Sequence, residues 1–171
     1  MNWTLYIVIT ATLTALLVGM YHFAFYRRYG DGWPGKMRTG DPTYWPLIIG
    51  FSLAFAMAIA ELILDWPARV TPWMIVGWAL LLFGNAWNRW AYRTLGEHYR
   101  PTAHKPEGPV VRVNKAPYKW MRHPLYAGQT VYLIGLMLGV DADVSWLGLA
   151  FFLPPLARRV WYEDALLKIR G

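Results

Sequence analysis

The sequence contains no cysteine. That excludes a disulfide framework, a thiolate nucleophile and any Cys-based metal site, and it leaves the redox compartment unread. No metal site of another kind is expected. Charge is scarce as well: 16% of the 171 residues are Asp, Glu, Lys or Arg, with ten acids against seventeen Lys and Arg. Internal repeats and low-complexity tracts are absent. What fills the chain is apolar, 56% hydrophobic with eleven Trp and eleven Tyr, which is too apolar and too aromatic for an ordinary soluble domain. The length suits one domain.

Five apolar spans can be marked: Trp3 to Tyr26, Trp45 to Trp66, Thr71 to Trp90, Pro124 to Val140, and Val144 to Val160. A helix crossing the hydrocarbon layer needs about 20 residues, with a lower limit near ~17. The first three spans qualify on length, whereas the last two are short and contain breakers. Trp3, Trp45, Trp66, Trp73 and Trp146 fall at span ends, as an interfacial aromatic belt requires. The first span has no basic region before it and exceeds the length of a signal-peptide core, so a permanent helix is expected there. The fold class expected is an all-α integral membrane protein with five transmembrane helices. Its single domain would cover 1–171, with the first two spans in 1–70 and the rest in 71–171.

Orientation follows from the cations. Arg27, Arg28, Lys36 and Arg38 lie in the first connection. Arg89, Arg93, Arg100, Lys105, Arg112, Lys115, Lys119 and Arg122 lie in the third connection and the end of its helix, and Arg158, Arg159, Lys168 and Arg170 in the tail. Sixteen of the seventeen therefore fall on one side, leaving only Arg69 on the other. The positive-inside rule places the N-terminus outside and the long loop and C-terminus in the cytoplasm. The net charge of +7 is accounted for by topology, and no nucleic-acid partner is expected. The expected location is the cytoplasmic membrane of a prokaryote, as a multi-pass protein.

The second and fourth connections (residues 67–70 and 141–143) read as tight turns that make antiparallel helix pairs. The third, from Tyr92 to His123, is too long for a mere connector; loops of that length are usually functional or disordered. Residues 110–113 could form a short extended piece. The loop ends in the stretch that organises the chain, Ala116-Pro-Tyr-Lys-Trp-Met-Arg-His-Pro-Leu-Tyr-Ala-Gly128. Pro124 suits the first turn of a helix, and His123, preceding it, is pushed toward an extended conformation. His123 is thereby expected at the mouth of the helix, where unpaired N–H groups and the dipole favour anions. Arg122 adds a planar fork for a carboxylate or phosphate. Ordinary cationic flanking of an interfacial helix is the plainer reading of the same residues.

Polar residues interrupt the spans. Asn85, Asn88 and Arg89 share one helix face, either with Arg89 snorkelling to the interface or with the face lining a polar cavity below the long loop. Glu61 is expected to play a structural part, pairing with Arg69. Gly128, Gly135 and Gly139 on one side of the fourth span suit close helix approach, and Gly128 alternatively suits close approach to a ligand. Pro154 and Pro155 should kink or break the fifth span, after which Arg158 to Leu167 reads as a helical tail with Arg159 and Glu163 one turn apart.

Two stretches together resemble a known family. Pro117-Tyr118, then Arg122-His123-Pro124-Leu125-Tyr126-Ala127-Gly128, and after one helical hairpin Arg159, Glu163 and Asp164, are similar to the Gly-Pro-Tyr, Arg-His-Pro-x-Tyr-x-Gly and Arg-x-x-x-Glu-Glu motifs of the isoprenylcysteine carboxyl methyltransferase and phospholipid methyltransferase superfamily. Leu95-Gly96 resembles a pair that precedes the motif region there. The likeness covers roughly 75–171. Three departures stand out: Ala116 replaces the usual glycine, Asp164 replaces the second Glu, and the sequence ends at Gly171, before the tyrosine-rich segment that usually follows.

The resemblance implies S-adenosylmethionine as methyl donor, leaving as S-adenosylhomocysteine, with Tyr118, Arg122, His123, Pro124, Tyr126, Gly128, Glu163 and Asp164 as cofactor-binding residues. Arg122 and the helix N-terminus would suit the donor's carboxylate. Glu163 and Asp164 would suit ribose hydroxyls or the ammonium, and Tyr118 or Tyr126 the sulfonium. His123 would bond the adenine or orient the loop. Arg159 and Glu163 are the expected catalytic residues, Arg159 to orient an anionic acceptor and Glu163 or His123 as a base for a protic one. The acceptor would be lipophilic and reach the site from membrane lipid: an isoprenylcysteine-like carboxylate, a lipid amine or a thiol. Oligomeric state is unread. Two competing readings are an NADPH-dependent enzyme similar to the sterol reductases and a non-enzymatic membrane scaffold whose basic face engages anionic lipid.

Overall fold

The computed structural model describes residues 40–64, 70–100, 102–103 and 113–168. Four α-helices lie within them: α1 Tyr44–Leu64, α2 Pro72–Leu95, α3 Pro124–Gly139 and α4 Gly148–Lys168. Short 3₁₀ turns occupy Gly96–His98 and Ser145–Leu147, and no strand occurs among the described residues. The expected span from Trp3 to Tyr26, the first-connection cations, the turn at 67–69 with Arg69, and all but Val113 of the extended piece lie outside the described residues.

Among the described residues one helix, α1, is both long and apolar enough to cross a membrane by length and composition. The other three expected spans fall short for physical reasons. The last turns of α2 carry Asn85, Asn88 and Arg89, α3 has 16 residues, and the second half of α4 carries Arg158, Arg159, Glu163 and Asp164. Only a stripe of α1 is buried, Leu47, Gly50, Ala54, Ala58 and Leu62, at helical spacing. Trp45, Ile49, Ile63 and Leu64 on its other sides stand exposed, and so do Trp73, Phe83, Phe151 and Trp161 on α2 and α4. So much outward apolar surface belongs against lipid or a partner.

Packing does not follow the tight turns. The two extensive helix pairs are α2 with α3, which the long connection separates, and α1 with α4. This corrects the expected hairpins, and glycine is the reason. Gly84 lies against the backbone of Tyr132 and Gly128, Gly135 against Leu81 and Gly77, and Gly77 against Leu138 and Gly139. A side chain at any of these positions would collide with backbone, so α2 and α3 touch along their main chains as small residues allow. Phe51 joins the two pairs, stacked on Tyr132 and edge-on to Phe152. Below it Leu133, Leu136, Met137, Met74 and Leu81 close the core.

The helix α4 also departs from expectation. Pro154 and Pro155 lie inside one continuous helix, so the expected tail is its second half. Pro155 cannot donate to the Phe151 carbonyl one turn back, and Gly50 of α1 packs its bare Cα against that carbonyl. The Gly50 contact covers the freed carbonyl with neighbouring backbone, as a proline inside a membrane helix requires. Glu61 plays the structural part expected, while the Arg69 expected to pair with it lies outside the described residues. Its carboxylate accepts the backbone N–H groups of Asp143 at 2.6 Å, Val144 at 2.8 Å and Ser145 at 2.7 Å, and also the Ser145 hydroxyl. It thereby pins the α3–α4 turn to the end of α1.

Candidate functional site

The other end of the bundle gathers the start of α1, the end of α2, the start of α3 and the second half of α4. Local chemistry fixes the motif turn there. The Trp87 indole N–H donates to the Pro124 carbonyl at 2.8 Å and the Thr94 hydroxyl to the Ala116 carbonyl at 3.2 Å, fastening residues 116–124 to α2. Turn bonds from Lys119 N to Lys115 O and from Trp120 N to Pro117 O, both 3.0 Å, shape the loop between. Pro124 occupies the first helical position and His123 the cap, with its backbone at φ −124° and ψ 61° rather than in the extended conformation expected.

Around that cap the motif side chains converge. One His123 ring nitrogen lies 3.4 Å from Glu163 Oε2 and the other 3.2 Å from Asp164 Oδ1. The ring stacks on Tyr126 at 5.6 Å. The Tyr126 hydroxyl donates to Glu163 Oε1 at 2.6 Å, and the same oxygen takes Arg159 Nε at 2.6 Å. Arg159 Nε also donates to the Tyr126 oxygen at 3.0 Å. Arg122, 75% exposed, approaches Asp164 at 3.5 Å. An ion pair that exposed contributes little by itself.

The electrostatics follow from these contacts. Burial would disfavour imidazolium at His123, but hydrogen bonds and charge from Glu163 and Asp164 prevail and lift its pKa above 6.5. Burial also opposes charge on Glu163, yet bonds from His123, Arg159 and Tyr126 hold its pKa below the usual carboxylate range. Burial raises the Tyr118 phenol, with the charges of Tyr99 and Glu163 adding to it, so it stays a neutral hydroxyl. That hydroxyl is buried and has no hydrogen-bond partner among the described residues.

Of the residues expected in the site, His123, Tyr126, Arg159, Glu163, Asp164 and Arg122 are brought together, Tyr118 lies close enough to feel Glu163, and Pro124 sets the helix start. Gly128 is turned elsewhere. It packs on the Asn88 amide and Trp87 of α2, so helix approach accounts for it. Asn85 and Asn88 are buried, Asn88 against Gly128 of α3, with Asn85 Nδ2 and Asn88 Oδ1 lacking hydrogen-bond partners among the described residues. Close packing by Gly128, rather than a polar cavity, surrounds the Asn88 oxygen.

Arg159 differs most from expectation. It is 2% exposed, and besides Glu163 and Tyr126 its guanidinium bonds Asp41 and, at 3.1 Å, the Thr43 hydroxyl. Asp41 takes the Thr43 N–H at 2.9 Å, the Thr43 hydroxyl at 2.6 Å and the Ala103 N–H at 2.6 Å. Burial disfavours its charge, but Thr43, Ala103 and Arg159 outweigh this and its pKa lies below 3.8. Sequence reasoning missed Asp41. The only local signal, an Asp two residues before a helix-opening Thr-Tyr, reads as an ordinary helix cap.

The family model described as the isoprenylcysteine carboxyl methyltransferase family matches residues 75–169, more than half of the chain. A relative in Bacillus subtilis (strain 168), the uncharacterized protein YpbQ, is 29% identical over 135 residues, covering 78% of this chain and 79% of that protein. No solved structure matches the chain.

Proposed function

The chain belongs to the isoprenylcysteine carboxyl methyltransferase family, and from that premise we propose that it is an integral-membrane methyltransferase that uses S-adenosylmethionine and a lipophilic acceptor. The observation that carries the reading is the convergence of His123, Tyr126, Glu163 and Asp164 at the mouth of α3. The residues present fit the donor. Two adjacent carboxylates suit its ribose hydroxyls and ammonium, the stacked His123 and Tyr126 rings suit a sulfonium, and the buried Tyr118 hydroxyl lacks a partner that a ligand would provide. When bound, S-adenosylmethionine supplies an electrophilic methyl group on a positively charged sulfur.

The chain's own residues then do four things. Glu163 and Asp164 hold negative charge near the donor's cationic groups. Tyr126, fixed by Glu163 and Arg159, keeps its ring face in place. Tyr118, neutral and buried, offers a hydroxyl. His123, whose pKa lies above 6.5, is the residue able to hold or release a proton if the acceptor is protic, through the nitrogen facing Asp164. In-line methyl transfer draws most of its acceleration from such positioning. Arg159 does not meet the acceptor in this reading, because its Nε and Nη1 are engaged by Asp41, Glu163, Tyr126 and Thr43.

Five spans, with the N-terminus outside and the site in the cytoplasm of a prokaryotic cell, complete the proposal. The distribution of cations supports it. Arg93, Arg100, Lys115, Lys119, Arg122 and Arg159 all lie toward the site end of the bundle, and among the described residues no Lys or Arg lies at the other. The test is calorimetric titration of the detergent-purified protein with S-adenosylhomocysteine, with NADPH as comparison. Saturable binding of the first alone is expected. NADPH binding alone overturns the reading in favour of a reductase, and binding of neither removes the methyltransferase assignment.

A further inference from the structure

We propose that Asp41, which lies outside the family-matched segment, is a positioning residue that sets the geometry and charge of the Glu163–His123 pair through Arg159. The inference rests on the proposed methyltransferase site and goes beyond it, because no motif of that site includes Asp41.

The buried guanidinium of Arg159 lies between two carboxylates. On one side is Asp41, on the other Glu163. A single positive charge shared by two negative ones neutralises neither fully. With Asp41 in place, Arg159 orients Glu163 and leaves it with charge to spend on His123, at 3.4 Å. Without Asp41 the same guanidinium would be drawn more strongly onto Glu163. The carboxylate would then be more fully neutralised, and its hold on His123 and on any cationic ligand weakened.

Asp41 also makes the arrangement rigid. Its Oδ1 takes two bonds from Thr43 at the head of α1 and its Oδ2 takes the Ala103 N–H of the long connection. Three separate segments, the entry to α1, the loop at residues 102–103 and α4, therefore meet on one carboxylate. An exposed ion pair could not do this, because it would be screened and mobile. Here both side chains are 2% exposed, so the pair is held by its surroundings and the position of Arg159 is transmitted to Glu163 and Tyr126. An N-cap for α1 alone would need only the Thr43 bonds, so the Ala103 and Arg159 bonds call for the wider role.

The experiment compares wild type with Asp41→Asn, which keeps the shape and loses the charge. The first readout is the histidine ring proton titration by NMR in the ligand-free protein, with the His123 signal assigned by its loss in His123→Gln. Among the described residues the groups facing that ring are Glu163 and Asp164 from α4 and Tyr126 from α3, with Arg122 against Asp164, and all are retained in the variant. The expected result is a fall in the His123 pKa toward 6.5, measured well below the melting temperature. The second readout is S-adenosylhomocysteine affinity by calorimetry, expected to weaken about tenfold, within the range of coupled buried pairs. A folded Asp41→Asn with wild-type His123 titration overturns the proposal, whatever its stability. If wild type fails to bind S-adenosylhomocysteine, the methyltransferase reading falls while the titration still decides the role of Asp41. Should Asp41→Asn not accumulate as folded protein, Asp41→Glu keeps the charge but displaces it by one methylene. The same titration then applies, with a fall expected and no change overturning the proposal.

Discussion

Replacing Arg159 by Met separates a clamp from an acceptor-orienting group. The substitution leaves two carboxylates, Asp41 and Glu163, facing a buried apolar side chain. Breaking a buried pair by removing one partner costs about 3–5 kcal/mol. The lower end applies, because Asp41 keeps its bonds from Thr43 and Ala103, and Glu163 keeps those from Tyr126 and His123. For a chain of this size each kcal/mol moves the melting temperature by about 2–4 °C, so a loss of roughly 6–12 °C is expected. Far-UV ellipticity followed on heating in one detergent, with wild type alongside, measures it. Arg159→Lys should fall between the two, since an ammonium lacks the fork that reaches Asp41, Thr43 and Glu163 together. The double variant Asp41→Asn/Arg159→Met should recover part of the loss, because one buried charge, Glu163, then faces the apolar group instead of two. An Arg159→Met protein that melts within about 1 °C of wild type, below one kcal/mol on the same scale, would refute the clamp. If turnover were lost at the same time, an acceptor-orienting arginine would be the better account.

Three further outcomes follow from other contacts. Gly84→Val drives a branched side chain into the backbone of Tyr132 and Gly128; a loss of about 3 kcal/mol or failure to accumulate is expected, read as protease susceptibility of the membrane fraction, and a stable variant would mean α2 and α3 are not in main-chain contact. Glu61→Gln removes the charge from four hydrogen bonds at the α3–α4 turn and should lower stability by about 2 kcal/mol while leaving S-adenosylhomocysteine affinity unchanged, since it lies at the far end of the bundle. Stability should also depend on pH through His123: its folded pKa is raised above 6.5, so the contribution of its ion pairs is fully present below pH 6.5 and is lost as pH rises through the folded value. Denaturation midpoints measured from pH 6 upward should show that decline in wild type and not in His123→Gln; parallel curves would remove the charged histidine from the account.

The site motif was readable because its parts are short-range. Pro124 at a helix start, His123 before it, and Arg159 with Glu163 one turn apart are all set by local geometry, and the structure brings them together at 2.6–3.4 Å. The helix pairing was not readable from connection lengths. Short turns suggested that α1 would lie on α2 and α3 on α4, but contact area is decided by which faces carry glycine, and Gly77 and Gly84 match Gly135, Gly139 and Gly128 across a long loop. The two prolines of α4 misled for a similar reason. Their missing donors are a local fact, whereas the covering contact from Gly50 lies about a hundred residues away. Glu61 was correctly read as structural, and three of its partners among the described residues are backbone N–H groups, which a sequence shows at every position and so distinguishes at none.

Asp41 marks the boundary between these cases. The family-matched segment, 75–169, holds every motif residue yet leaves the buried charge of Arg159 only half accounted for, since Glu163 also serves His123. A buried arginine serving two carboxylates needs the second one from somewhere. It comes from residue 41, next to the helix that covers α4. The helix α1 thus supplies more than apolar surface: its entry carries the counter-charge that lets the motif arginine be buried at all. A truncated chain restricted to the matched segment would therefore lose Asp41 and Thr43 together, and the arginine facing Glu163 would lose the carboxylate on its other side.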